Sequence, residues 1–310
     1  MYIEYENVQF VREDGKKYAR RSQPPKILPI MLPKPKFMPT KLVRISDMKI
    51  VNGSQVNGGY CALSYSWNQS GDIKLDKTTG KSQRIDEGKH QIISYDTIFP
   101  DMIIPQYKTD WNKRLQKIYR VFKIMEDKNY YFSKTIQYVK FEGIIQQICR
   151  KFNIKYIWYD QMCISQDDKE ERRREIRNMH RIYGNAYCTV ALAPDYSEKY
   201  NLNIKQEYFK RLWTLEEIKK SKRLLFVGKN IHMWEKDITG GSIYPLIKPL
   251  SELSVNEVLY HAHQRTSTKE HDRVFALINL FPEFIDQEND THSFKNLMIR
   301  YFCGVFPIKK

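Results

Sequence analysis

Ile154-Lys-Tyr-Ile-Trp-Tyr-Asp160 and Tyr187-Cys-Thr-Val-Ala-Leu-Ala193 are two short apolar runs, the second broken by Pro194-Asp195, with a charged stretch between them. In that stretch Ile176, Met179, Ile182 and Tyr183 recur at helical spacing, so residues 169–186 read as a helix between two strands. The alternation continues on both sides. Before it, residues 139–152 carry Phe141, Ile144, Ile145, Ile148 and Cys149 as a helical stripe. After it, residues 209–220 read as a helix and 223–227 as a strand stopped by Gly228. Strands and helices of these lengths in alternation predict βαβ units and an α/β fold. Right-handed crossovers then place helices on both faces of a parallel sheet and gather the strand ends into one crevice.

Toward the N-terminus, Tyr60-Cys-Ala-Leu-Ser-Tyr-Ser-Trp67 is apolar on both faces, as a strand covered on both sides requires. Lys41-Leu-Val-Arg-Ile and Met48-Lys-Ile-Val form a hairpin-like pair that reads as closed near Asn52-Gly53. Residues 68–135 read as an insertion with strand-and-turn character and a helix around Leu115, Ile118, Val121, Phe122 and Met125. Pro24, Pro25, Pro29, Pro33, Pro35 and Pro39 exclude a helix or a central strand, because each lacks a donor and fixes φ. That segment reads as an extended arm laid over the domain, or as a ligand for a proline-binding partner. The division is therefore an arm over 1–39, a core over 40–228 and a mostly helical part over 229–310.

Composition narrows the classes. With 41% hydrophobic and 13% aromatic residues in 310, the chain can bury a core, which excludes disorder and disulfide mini-scaffolds. Lys+Arg 52 against Asp+Glu 36 gives +16, which predicts attraction to something anionic without saying what. Cys61, Cys149, Cys163, Cys188 and Cys303 are odd in number and form no C-x-x-C pair, so reduced thiols in a cytoplasmic protein fit best. Neither a signal peptide nor a membrane-spanning run is present. Nucleic-acid binding rests on charge alone, in the clusters Lys16, Lys17, Arg20, Arg21 and Lys219, Lys220, Lys222, Arg223.

Three groups of residues are candidates for chemistry. In Arg211-Leu-Trp-Thr-Leu-Glu-Glu217 the two acids lie about 100° apart around a helix, so only one can face a crevice. Glu217, beside Ile218, is the one at the margin of the buried side, where desolvation would raise its pKa. Dipole complementation and solvation is the bland alternative for both acids. Asp160 stands where a parallel strand ends, as a site residue or as a cap fixing the loop. Ser64, Tyr65 and Trp67 end the first core strand and offer a hydroxyl and an aromatic face, at least one ring being needed for packing. Cys163 has no activating histidine and reads as a small buried hydrophobe. His261 and His263 fall in a helical stretch that splays them apart, so no metal site is expected. No phosphate-cradling glycine loop is present, which counts against nucleotide hydrolysis and hydride transfer.

Taken together, Tyr60-x-Ala-Leu-Ser-Tyr-x-Trp67, Ile157-Trp-x-Asp-x-x-Cys-Ile-x-Gln166 with Met179-x-x-Ile-Tyr-x-x-Ala186, and Arg211-x-Trp-Thr-Leu-x-Glu217 resemble successive blocks of the fungal heterokaryon-incompatibility (HET) domain. Asp272-Arg-Val-Phe-Ala-Leu-Ile-Asn-Leu280 is similar to a later helix of that family. The family is associated with programmed cell death after fusion of incompatible fungal cells. HET domains are likened to TIR domains, whose flavodoxin-like fold in some members cleaves NAD+. Trp213-Thr-Leu-Glu-Glu217 is similar to the TIR segment Trp-Cys-Leu-x-Glu, whose glutamate is catalytic, and this maps onto Glu217 and not Glu216. The resemblance implies a TIR-like sheet and an NAD+ glycohydrolase for which NAD+ is substrate and no cofactor is needed. It implies Glu217 as the catalytic residue, with Ser64, Tyr65, Trp67, Asp160 and Trp213 at the substrate. A homo-oligomer and a sensor partner are implied as well, and a non-enzymatic self-associating death-signalling module is the rival reading. Asn68 and Glu216 depart from the family's usual Gly and Gln, and residues 161–168 lack the glycine common in the TIR loop.

Overall fold

A computed structural model describes residues 2–6, 28–75, 77–79, 82–97, 132–165, 167–194, 207–230, 232–238, 244–267, 276–277 and 279–280. In chain order the strands are β1 (Glu4–Glu6), β2 (Lys41–Arg44), β3 (Lys49–Asn52), β4 (Cys61–Ser64), β5 (Asp72–Leu75) and β6 (Ser82–Ile85). They continue with β7 (His90–Thr97), β8 (Phe132–Val139), β9 (Tyr156–Trp158), β10 (Thr189–Leu192), β11 (Leu224–Val227) and β12 (His232–Trp234). The α-helices are α1 (Phe141–Lys151), α2 (Asp160–Cys163), α3 (Lys169–Asn185), α4 (Glu207–Lys210), α5 (Trp213–Lys220), α6 (Tyr244–Ile247) and α7 (Val255–His263).

The main sheet has seven strands in the order β12-β11-β10-β4-β9-β2-β3. Its centre, β11-β10-β4-β9, is parallel throughout, and every residue of β4, β10 and β11 is buried. Burial on both faces is why these strands read as continuous apolar runs. Alternation along β10 and β11 sends Val190, Leu192, Leu225 and Val227 into one core. Ala191, Leu224 and Phe226 enter the other, with Leu215 and Ile218 of α5.

The sheet is mixed, which corrects the expectation of a wholly parallel one. β2 pairs antiparallel with β9 and β3, and β12 pairs antiparallel with β11. The connections decide two of these pairings, since a parallel neighbour needs a crossover of a dozen or more residues and both β2–β3 and β11–β12 are joined by four. The β2–β3 hairpin closes at residues 45–48 and not near Asn52-Gly53. Asp47 fixes that turn by accepting from Arg44 (2.6 and 3.0 Å) and from the Lys49 amide (3.3 Å), and Met48 takes φ 55°. Asn52 instead caps a 3-10 turn, accepting from the Ser54 amide.

A second correction concerns residues 209–220, which form two helices and not one. At the break Arg211 bridges to Thr266: the Leu212 amide donates to the Thr266 carbonyl (3.0 Å) and the Thr266 amide to the Lys210 carbonyl (2.7 Å). These backbone groups bond the chain after α7 in place of a continuing helix. The insertion contributes the hairpin β5–β6 and the strands β7 and β8, and β7 pairs parallel with β1. The N-terminal segment thus supplies a sheet strand, with Tyr5 buried. The helix expected around Leu115 to Met125 lies outside the described residues, as do Pro24, Pro25 and the cluster from Lys16 to Arg21. Among the described residues no helix is long and apolar enough to cross a membrane.

The proline segment from Leu28 onward lies against the domain through Leu28 and Leu32, and Ile30 and Met31 point outward. Its fit is close, because a Cβ on Gly53 would stand 1.9 Å from the Pro39 carbonyl oxygen. Gly53→Ala is therefore expected to destabilise the fold by about 1–3 kcal/mol, seen as a lower melting temperature. An unchanged melting temperature would mean that this segment does not press on the hairpin.

Candidate active site

Numbered along the chain, the strands of the parallel block run second, first, third, fourth. Its order reverses between β4 and β10, and a ligand is expected at the carboxyl ends of those strands, beside Ser64 and Leu192. Gln69 spans the reversal, donating to the Leu192 carbonyl (3.3 Å) and accepting from the Ser66 amide (2.8 Å).

Helix α5 packs on β4 and β10 and carries Glu217 to this point. The Ser64 hydroxyl donates to Glu217 Oε2 in a short hydrogen bond. That donation uses the only proton on Ser64, so the Tyr208 hydroxyl, 2.5 Å away, donates to Ser64. Glu217 is 5% exposed, and burial, helped by the nearby Asp160, pushes its carboxyl up to about 8. The Ser64 hydrogen bond and the charges of Arg211 and Arg265 pull the other way. The sequence reading put Glu217 at the margin of the buried side, partly desolvated; here it is buried.

A second cluster surrounds Asp160. Its Oδ1 accepts from the Tyr65 hydroxyl (2.7 Å) and the Gln161 amide (2.8 Å), and Oδ2 accepts from Trp67 Nε1 (2.5 Å). Asp160 therefore ties the end of β4 to the start of α2. Tyr65 is buried, its ring 5.1 Å from Phe141 and edge-on to Tyr159, so it is a packing residue and Trp67 is the half-buried ring. Arg211 donates to the Tyr65 carbonyl (3.3 Å) and is also half-buried. Trp213 begins α5 and packs against both cores, away from these hydrogen bonds.

Several residues sit differently from their expected roles. Glu216 is fully buried and not solvated; Asn279 Nδ2 donates to its Oε1 (3.0 Å) and its Oε2 has no partner among the described residues. Burial, with Glu217 beside it, holds this carboxyl well above its ordinary range. Ser64 is itself buried and committed to Glu217, so it positions the acid and does not face a ligand. Lys219 and Lys220 donate to the Lys248 and Leu280 carbonyls (2.7 and 3.3 Å), and Arg223 lies over the Tyr187 ring, so this cluster is not a free basic face. Cys163 is buried, which pushes its thiol up to about 12. Among the described residues no group of three or more His, Cys, Asp or Glu side chains is placed to hold a metal.

The profile of the family "Heterokaryon incompatibility protein (HET)" matches residues 134–206, which take in α1, β9, α2, α3 and β10. The match places a HET-family domain over residues 134–206. The chain is also similar to the vegetative incompatibility protein HET-E-1 of Podospora anserina, with 26% identity over 147 residues. That similarity covers 41% of this chain and 11% of the relative's length. No solved structure matches.

The fold places Ser64, Glu217, Asp160, Tyr65 and Trp67 around the carboxyl ends of β4 and β9, but sequence reasoning missed three partners. Tyr208 lies one residue before the helix expected from 209. Arg265 and Asn279 come from the C-terminal part and meet α5 only through the tertiary fold, Arg265 donating to the Thr214 hydroxyl (2.7 Å). The available signal for Arg265 was an arginine directly after an amphipathic helix, which a solvated surface explains equally well.

Proposed function

We propose that the HET domain is an NAD+ glycohydrolase with Glu217 as its catalytic residue, acting in heterokaryon incompatibility and the cell death that goes with it. The observation that carries this reading is the buried Glu217 carboxyl, held by Ser64 at the carboxyl end of the first parallel strand, beside the point where the strand order reverses. The likeness of Trp213-Thr-Leu-Glu-Glu217 to the TIR segment and a TIR-like reading of the sheet support it. The family's description and the name of the Podospora relative support the role in incompatibility.

The chemistry fits one carboxylate. Nicotinamide leaves as a neutral molecule from a cationic ring, so no general acid is needed, and the bond that breaks is the one between ribose C1′ and the ring nitrogen. Positive charge then develops on the ribose, as in glycoside hydrolysis. Glu217, ionised, offsets that charge from a fixed position in a site largely closed to water, where electrostatic stabilisation is strongest. Water adds to C1′ and releases a proton, giving ADP-ribose. Trp67 offers the stacking face, and half-buried Arg211 attracts the diphosphate.

The test is nicotinamide release from NAD+ by the purified chain at high concentration, with Glu217→Ala as control. Release by the wild type and none by the variant is expected. A folded, concentrated wild type that releases none would overturn the reading in favour of a self-associating death-signalling module that needs no turnover.

A further inference from the structure

Arg265, which follows α7, is 3% exposed, and among the described residues no carboxylate forms an ion pair with it. Its Nη1 donates to the Arg211 carbonyl (2.9 Å) and the Thr214 hydroxyl (2.7 Å), on either side of the start of α5, and its Nη2 has no partner among the described residues. Burying a guanidinium this way is expensive unless a counter-charge is near. The helix it braces carries one. The groups acting on Glu217 are Ser64 on β4, Asp160 at the head of α2, Tyr183 on α3, Tyr208 on α4, Arg211 in the helix break, Glu216 on its own helix, and Arg265. Two of these are cationic: Arg211, half-buried, acts more strongly on Glu217, and Arg265 is the more deeply buried of the two. Glu216 answers instead to Glu217, Asn279 and Lys220.

We infer that Arg265 is a positioning residue of this site, a buried charge held against the first turn of the helix that carries Glu217 and acting, together with Arg211, on its carboxylate. The segment after α7 then completes a site whose other parts come from the sheet, α4 and α5. This gives a reason for the break between α4 and α5: the Thr266 bridge to Lys210 and Leu212 holds the neighbouring Arg265 against the first turn of α5. What the ionised Glu217 does rests on the glycohydrolase reading. The coupling of Arg265 to Glu217 does not.

The experiment compares Arg265→Met and Arg265→Lys in the full chain, each also in a Glu217→Gln background. Arg265→Gln, which retains donors for the Arg211 carbonyl and Thr214, is the second neutral variant should the methionine fail to fold. Melting temperature is followed from pH 5 to 9.5 beside the pH profile of nicotinamide release. In the neutral variants the pH at which Glu217 titrates is expected to rise. The lysine variant is expected to stay close to the wild type. In the Glu217→Gln background the difference in pH dependence should vanish. A neutral variant with an unchanged titration point and a uniformly lower melting temperature would overturn the inference and leave Arg265 a structural residue. If the titration point moves but even the wild type releases no nicotinamide, the coupling stands and the glycohydrolase reading falls.

Discussion

Glu217→Gln is expected to abolish nicotinamide release and, above about pH 8, to melt at a higher temperature than the wild type. Both effects have one origin. Burial holds the native carboxyl protonated up to about 8, whereas the unfolded chain releases that proton near the ordinary value of 4.5. Between those limits the native state binds more protons than the unfolded state, so stability falls as pH rises. Below 4.5 both states are protonated and above 8 both are ionised, and the difference is constant on each side. Each pH unit inside the window costs about 1.4 kcal/mol, and solvent relaxation reduces the total to something on the order of 3 kcal/mol. Glutamine has no such proton, and its amide oxygen still accepts from Ser64. The gain should be absent at pH 4, grow through neutrality and reach roughly 5 °C above pH 8. Calorimetry across that range checks it. Equal melting curves at pH 9 would show that Glu217 ionises freely in the folded chain.

Much of the frame was legible because it follows from periodicity. Phe141, Ile144, Ile145 and Ile148 do form the buried stripe of α1, and the apolar runs ending at Ser64, Trp158, Leu192 and Val227 do form the parallel centre. What periodicity cannot show is where backbone groups bond outside their own element. The segment from 209 to 220 is periodic throughout, yet the pairing with Thr266 divides it. The β2–β3 edge was legible as a hairpin, but β12 was missed, since the four-residue connection, and not strand composition, makes it antiparallel to β11. In the site, the likeness to a known motif separated Glu217 from Glu216, and the structure gives them different surroundings. Glu217 meets Ser64, and Glu216 meets Asn279, which stands 63 positions along the chain. A buried acid satisfied by so distant a residue leaves no trace in local pattern.

The pH dependence of turnover follows from the same carboxyl, with the opposite sense from its effect on stability. If ionised Glu217 offsets the charge on the ribose, kcat/KM should rise about tenfold per pH unit up to roughly 8 and then level off, a gain of about fifty-fold between pH 6 and 8. The kcat profile should break at a lower pH. On that reading the cationic nicotinamide ring of the bound substrate would favour the charged carboxyl, and kcat reports the bound state whereas kcat/KM reports the free enzyme. Ser64→Ala should move both breaks upward, because Ser64 donates to Oε2 and so favours the carboxylate. Stopped assays of nicotinamide release from pH 5.5 to 9.5 measure all three. A profile flat from pH 6 to 8 would mean that Glu217 acts as a neutral carboxylic acid. Its part would then be to hold the ribose hydroxyls, and the stabilising charge would have to come from Asp160, which lies at the same strand ends and accepts three hydrogen bonds.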